Sequence, residues 1–529
     1  MPPRYDLVEQ PCVPIVRHNG SESAVVSLRT ALTEAVNFVG LAPDNALAAV
    51  VLVRLLSAIV LASDPSIRGR EDIERLWSMG SFDIEALERY FADRPDSFEL
   101  FGQDRPFYQV AGLKPLSGEP KPASALRLSV ATGNNVPLFS TLTEADAVRL
   151  SPAEAFLGLL AVQGYDTAAI KTGVVGDPAA KAGKTTGNPT GNLGQLGAVL
   201  PLGQNLFHTL LLNLPLVSRK EDDLPAWDRV LTPAWEIRQP RGTLDLLTWQ
   251  SRRVRLIPDD DGYVVGAVIG AGDRMHFTPP ELEPHTCWRD TKTGDVARRP
   301  VRWSPGQAAW RGLDSLLALE HAGDVDTAMV IRQLEDVTDW LDESYPLSVL
   351  CVGVQYGNQS AVIEDVFIDR IPMPVAALRA RDPSIRTALT EVVLSAEKVR
   401  QALNGLSDNI RQAQGGERLP WDKGSHPGTH AMMQFTAPTT ELLIDLQCAP
   451  GRLADRVVAW ERAASVISWT VADGLLDQAS PGAFRGHEIT VGGKERTIRL
   501  ADAEAWFRAA LAKALPRISA EQRPQRRTS

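Results

Sequence analysis

The pattern of the chain changes character at Pro372-Met373-Pro374, and this limits its fold more than any other feature. Upstream, short alternating apolar runs are broken by turn dipeptides, as in sheet and mixed structure. Downstream, four stretches at 383–414, 429–447, 451–478 and 502–515 keep helical spacing. Strand-rich and helix-rich patterns cannot share one layer, so the chain reads as α+β. The expected organisation is a large mixed α/β N-terminal domain over 1–371, followed by a C-terminal four-helix bundle over 372–529. A length of 529 residues fits more than one core.

Within the first part, residues 5–35 read as a hairpin across Asn19-Gly20 and a helix from about Ser27. Residues 45–62 form an apolar helix ended by Asp64-Pro65, and 73–91 a second helical stretch. Phe98, Phe101, Phe107 and Tyr108 crowd a Gly/Pro-containing loop anchored in the core. Residues 244–257 read as a strand, with Arg253 and Arg255 on one face and Arg252 on the other. Asp259-Asp260-Asp261-Gly262 closes a hairpin onto 263–269, without the spacing of a calcium loop. Two helices are expected at 306–321 and 324–343. Residues 347–368 give a clear hairpin signal, with two β-rich arms joined across Tyr356-Gly357-Asn358-Gln359-Ser360. Its tip is either an ordinary connection or a rigid finger presenting Asn358 and Gln359.

Residues 164–216 are unusual. A Gly/Thr/Asn/Lys-rich tract runs with no acidic residue between Pro178 and Ser218. So long a loop without structure is either functional or disordered. Glycines let backbone amides approach a ligand, and Lys181 and Lys184 without carboxylate neighbours suit a phosphate backbone. Gly183-Lys184-Thr185 resembles the end of a P-loop, but Pro178 stands where that motif needs its first glycine. Thr132-Gly133-Asn134-Asn135 is turn-rich, and its asparagines suit either a turn or a base edge. Arg274 and His276, in the loop after residue 270, are open as polyanion contacts. His285 reads as a core histidine.

Composition sets outer bounds. The chain is 44% apolar and 23% charged, with formal net charge −10, which argues against a free-standing non-specific DNA binder. Local basic surfaces remain compatible with that total. The cysteines Cys12, Cys287, Cys351 and Cys448 stand singly, so neither a disulfide framework nor a zinc site is expected. No uninterrupted apolar run reaches the ~18 residues of a membrane span. The N-terminus lacks signal-peptide layout, so no membrane partner and a cytoplasmic location are expected. No hydrolytic or redox signature stands out, and neither a cofactor nor a metal is called for.

Five segments in order carry a resemblance: YDLVEQPCVPIV, ATGNN-x-x-LF, the Gly-rich tract ending in FHTLLLNLPL, PAWE, and LDLLTWQSRRVRL. Together they resemble the CasA family, the large subunit of the type I-E CRISPR surveillance complex, Cascade. The motifs span about residues 5–370, and the C-terminal part matches in architecture alone. The resemblance implies a non-enzymatic subunit that reads the protospacer-adjacent motif on double-stranded target DNA. It further implies opening of the duplex toward R-loop formation, binding to crRNA-bearing Cascade subunits, and help in recruiting the helicase-nuclease. Carried over by position, the family's wedge falls on Asn358 and Gln359. Its minor-groove glycine loop falls on Thr167, Ala168 and Ala169, ahead of Lys171; alanines stand here where well-known members have glycine. A groove-entering lysine falls near Arg274 and His276, where Arg274 is the preferred substitute. A loop meeting DNA and guide falls on Thr132, Gly133, Asn134 and Asn135. Minor-groove reading is degenerate, so tolerance of several motif sequences is expected. Two other classes stay open: a nucleotide-binding enzyme with a degenerate P-loop, and a purely structural scaffold.

Overall fold

The structure is a computed structural model. It describes residues 3–18, 22–116, 118–130, 146–217, 220–291, 297–319, 324–379, 381–420, 426–491 and 494–521. The chain divides into two compact units. The first comprises Met1–Gly306, Ala318–Trp340 and Leu347–Arg370. The second comprises Gln307–Leu317, Leu341–Pro346 and Ile371–Ser529.

The first unit is built on the apolar helix Ala46–Ser63, N-capped by Asn45 and ended at Asp64. By length and composition it could cross a membrane, but 72% of it is buried inside the protein. Its one charge, Arg54, is 1% exposed and meets Glu283 Oε1 at 2.8 Å. His285 lies beside this pair and is buried, and burial holds its imidazole well below the ordinary range. Helix Pro152–Tyr165 starts at a Ser151/Glu154 capping box and packs on Ala46–Ser63.

Several small sheets surround these helices. Val13–Arg17 is the central strand between Ser23–Val26 and Phe38–Leu41; the Asn19-Gly20 turn lies outside the described residues. Arg252–Pro258 pairs antiparallel with Val264–Ala271 across the acidic turn. Ser348–Tyr356 lies between Ile363–Pro372 and Ala198–Leu202, with Ser348 opposite Leu202 and Val352 opposite Ala198. The strand that ends the Gly-rich tract is therefore the strand on which the 348–372 hairpin is rooted.

Tertiary context overrides several local expectations. Residues 244–257 are not one strand: Thr243–Leu247 is a helix, and the strand begins at Arg252. The cause is remote in sequence, because the Asp223 carboxylate accepts from the Leu244 and Asp245 amides and caps that helix. The stretch 73–91 is two helices, Arg70–Met79 and Ile84–Ala92, divided where Gly80 turns left-handed at φ 71°. The helix expected at 306–321 shrinks to Ala309–Gly312 and Leu313–Leu316. The one expected at 324–343 shrinks to Met329–Val337, since Val325–Asp326 is drawn into pairing with Trp288–Asp290.

In the second unit, Ser384–Ala413 packs against Pro427–Gln434, Leu453–Asp477 and Leu500–Ala514. The stretch expected as one helix at 429–447 is two, Pro427–Gln434 and Thr436–Cys448, meeting at Phe435. A hairpin that periodicity did not indicate, His487–Val491 with Lys494–Ile498, precedes the last long helix.

Candidate nucleic-acid interface

The Gly-rich tract is ordered. Ala169–Thr172 pairs antiparallel with Lys184–Asn188, with a shift of register between Ala169 and Lys171. Lys181 and Lys184 exchange backbone hydrogen bonds (2.8 and 3.0 Å) across Ala182 and Gly183, both at positive φ, as in a two-residue hairpin turn. Both lysines are exposed. Thr185 is buried and donates to Asp177 Oδ2 at 2.6 Å. Gly183-Lys184-Thr185 thus runs from a turn into a strand, not into a helix N-terminus, and lacks the geometry that cradles phosphate in a P-loop.

Most glycines of the second half of the tract serve packing. A Cβ at Gly191 would sit 2.4 Å from the Gly164 carbonyl carbon, and one at Gly194 would sit 2.4 Å from the Tyr356 hydroxyl. These positions let the returning chain press against helix Pro152–Tyr165 and the 348–372 hairpin, where the sequence suggested approach to a ligand.

That hairpin carries its tip as expected. Asn358 and Gln359 are exposed, and Gln359 and Ser360 hold left-handed backbone at φ 54° and 53°. Its base is fixed by the Tyr356 hydroxyl, which donates to the Tyr165 carbonyl at 2.7 Å. The Ala168 amide donates to the Ser360 carbonyl at 2.8 Å, bringing the Thr167–Ala168–Ala169 loop against the tip. Ala169 is exposed with φ 92°, so it adopts glycine-like backbone despite its side chain.

Asn188 links this loop to the predicted cationic contact. Its side-chain amide donates to the Ala169 carbonyl at 2.9 Å, and its Oδ1 accepts from Arg274 at 3.0 Å. Arg274 also donates to the Thr186 carbonyl (3.2 Å) and lies 3.8 Å over the Trp235 ring. Its backbone is held between Glu236 and Arg238. Burial, reinforced by nearby Arg252, draws its pKa below the ordinary arginine value. His276 is exposed two residues on.

Lys171 departs from its expected role. It is 7% exposed and its ammonium lies 2.7 Å from Asp166 Oδ2, which also accepts from Arg252 Nε at 2.5 Å. Burial brings the Lys171 pKa down to about 8, with Arg252 acting in the same direction against the pull of Asp166. Burial pushes the Asp166 carboxyl up, yet Arg252 and Lys171 together hold it below its usual value. A cation so enclosed holds the loop from beneath and does not face a ligand. Thr132, Gly133, Asn134 and Asn135 lie outside the described residues.

The structure thus joins the tip, the 167–169 loop and Arg274 through consecutive hydrogen bonds. Sequence reasoning missed Asp166, Asn188, Trp235 and Ser360 as members, and noted Arg252 only for its strand face. The one available signal was an isolated Asp166 after an apolar helix, which periodicity cannot pair with Arg252 more than eighty residues away. Among the described residues no group of three His, Cys, Asp or Glu side chains is placed to hold a metal ion, and all four cysteines are free.

The site of this α+β chain thus presents exposed Asn358 and Gln359 and, linked to them through the loop, an arginine stacked on Trp235. Comparison with known proteins identifies the group: the chain belongs to the CRISPR-associated protein Cse1 family, whose model matches residues 6–471. A Cse1 crystal structure from Acidimicrobium ferrooxidans is 30% identical, covers 98% of this chain and 99% of its own, and superposes with TM-score 0.82. Thermobifida fusca Cse1 is 27% identical over 97% of this chain and 99% of its own, with TM-score 0.83. The CasA/Cse1 protein of Thermus thermophilus is 28% identical over 433 residues, covering 78% of this chain and 79% of its own.

Proposed function

We propose that this chain is the large subunit of a crRNA-guided Cascade complex that reads the protospacer-adjacent motif in double-stranded DNA and opens the duplex beside it. Family membership supports the assignment to a CRISPR complex. The observation that carries the finer reading is the Ala168–Ser360 hydrogen bond (2.8 Å), which sets a backbone-exposing loop against a protruding polar tip. A loop able to enter the minor groove and a tip able to enter the base stack then act at neighbouring positions, as motif reading followed by strand opening requires. Sequence beyond the motif is left to guide pairing. Asn358 and Gln359 are the wedge, Thr167, Ala168 and Ala169 the groove loop, and Arg274 with His276 the cationic contact. Lys181 and Lys184 hold phosphate, and the Thr132–Gly133–Asn134–Asn135 segment adjoins DNA and guide. The chain binds crRNA-bearing subunits and helps recruit the helicase-nuclease, without a catalytic site of its own.

Gln359→Ala in the assembled complex tests this. A wedge offsetting even ~1.4 kcal/mol of unstacking accelerates opening about tenfold, so R-loop formation slows by about that factor while assembly is unchanged. Wild-type R-loop rates would overturn the wedge assignment and favour a scaffold role.

A further inference from the structure

The inference rests on the reading above and concerns what makes its two contact elements act together. In the groove loop and the tip, three non-glycine residues hold positive φ: Ala169, Gln359 and Ser360. Such backbone is strained and persists only where its surroundings over-determine it. The strongest fixed point nearby is Arg252, which is 1% exposed and therefore cannot meet DNA itself. Its Nε donates to Asp166 Oδ2 (2.5 Å) and its Nη1 to the Ser251 carbonyl (2.7 Å). Its Nη2 donates to the Thr167 carbonyl (2.9 Å) and to the Pro189 carbonyl (2.7 Å).

One planar fork thus ties together three pieces of chain: the end of helix Pro152–Tyr165, the groove loop, and the residue just after strand Lys184–Asn188. The Thr167 carbonyl it grips belongs to the same peptide unit as the Ala168 amide, which donates to Ser360 of the tip. Rotation of that peptide would break the bond to Arg252 and the bond to the tip at once. The opposite edge of the loop is held by Asn188 on the Ala169 carbonyl.

We propose that Arg252 is a positioning residue that locks the Thr167–Ala168 peptide, and through it the 358–360 tip, so that groove contact and wedge insertion form one coupled element. Charge alone does not do this: an ammonium has no planar array able to serve a carboxylate and three carbonyls in fixed directions. Lys171 meets the same carboxylate oxygen, Asp166 Oδ2, so Arg252→Lys keeps the carboxylate paired while removing the fork.

The test is a mutant cycle in the assembled complex, measuring affinity for a duplex with the adjacent motif and for one with it scrambled. Arg252→Lys lowers the ratio of the two affinities by about tenfold, while binding to the scrambled duplex stays within about twofold. In that background Gln359→Ala costs markedly less than it does alone. Equal losses on both duplexes, or additive effects of the two substitutions, would overturn the proposal. If Arg252→Lys fails to assemble, Arg252→Gln takes its place: its short neutral amide cannot span the Thr167 and Pro189 carbonyls, and Lys171 still pairs Asp166. It is then expected to lower the ratio, and an unchanged ratio overturns the proposal. A wild-type complex unable to distinguish the two duplexes would instead defeat the motif-reading function, a result separable from discrimination with additive mutants.

Discussion

The finger tip and the Gly-rich tract lie against one another and are built by opposite means. The tip is formed locally, from two β arms and a short turn with exposed Asn358 and Gln359, and is then held in place through its Ser360 carbonyl. The tract depends on distant partners, since Arg252 holds the Pro189 carbonyl and Trp235 holds Asp177, which in turn accepts from Thr185. An element carried by its own turn can change its tip residues at little structural cost. An element held by buried ions and close glycine contacts cannot. The presented surface is therefore the tolerant part of the site, and its foundation the intolerant part.

The sharpest way to break this contrast is Arg252→Ala, which strands Asp166 beside a single lysine and leaves the Thr167 and Pro189 carbonyls without their donor. Breaking a buried ionic network of this kind costs about 3–5 kcal/mol, seen as a lowered denaturation midpoint. Gly191→Ala comes next. Its methyl meets backbone at 2.4 Å, so the tract must shift, and overpacking of this kind costs about 1–3 kcal/mol. Asn358→Ala and Gln359→Ala, in contrast, are expected to change stability by no more than about 0.5 kcal/mol. A large loss at the tip, or none at Gly191, would dissolve the distinction.

The dependence on pH sharpens it electrostatically. The Lys171 pKa falls from its ordinary 10.5 to about 8, so between those values the unfolded chain binds more protons than the folded one. Its contribution to stability therefore rises as pH increases through that window and is flat below pH 8. Lys171→Met removes this rise, measured as denaturation midpoint against pH. An unchanged profile would mean the lysine is not desolvated as its position indicates.

The same contrast explains how far the sequence could be read. The finger was legible because alternating arms and turn residues are local, and so were the long helices after Pro374. The tract was legible as important but not in its construction. Its glycines indicated ligand approach, whereas Gly191 and Gly194 are spent on internal packing. Lys171 indicated a DNA contact because nothing local shows that Asp166 and Arg252 enclose it. The helix at 243–247 was hidden for a similar reason, its cap coming from Asp223. What these three failures share is a partner remote in sequence: Tyr356 against Gly194, Arg252 beside Lys171, and Asp223 on the 243–247 helix.

The most direct measurement compares Cascade assembled with and without this chain, following opening of the base pairs next to the motif in matched duplexes with the motif intact or scrambled. The account predicts that only the complete complex opens the intact duplex preferentially. Equal discrimination without the chain would contradict it and leave the finger and its braced loop without a role in reading DNA.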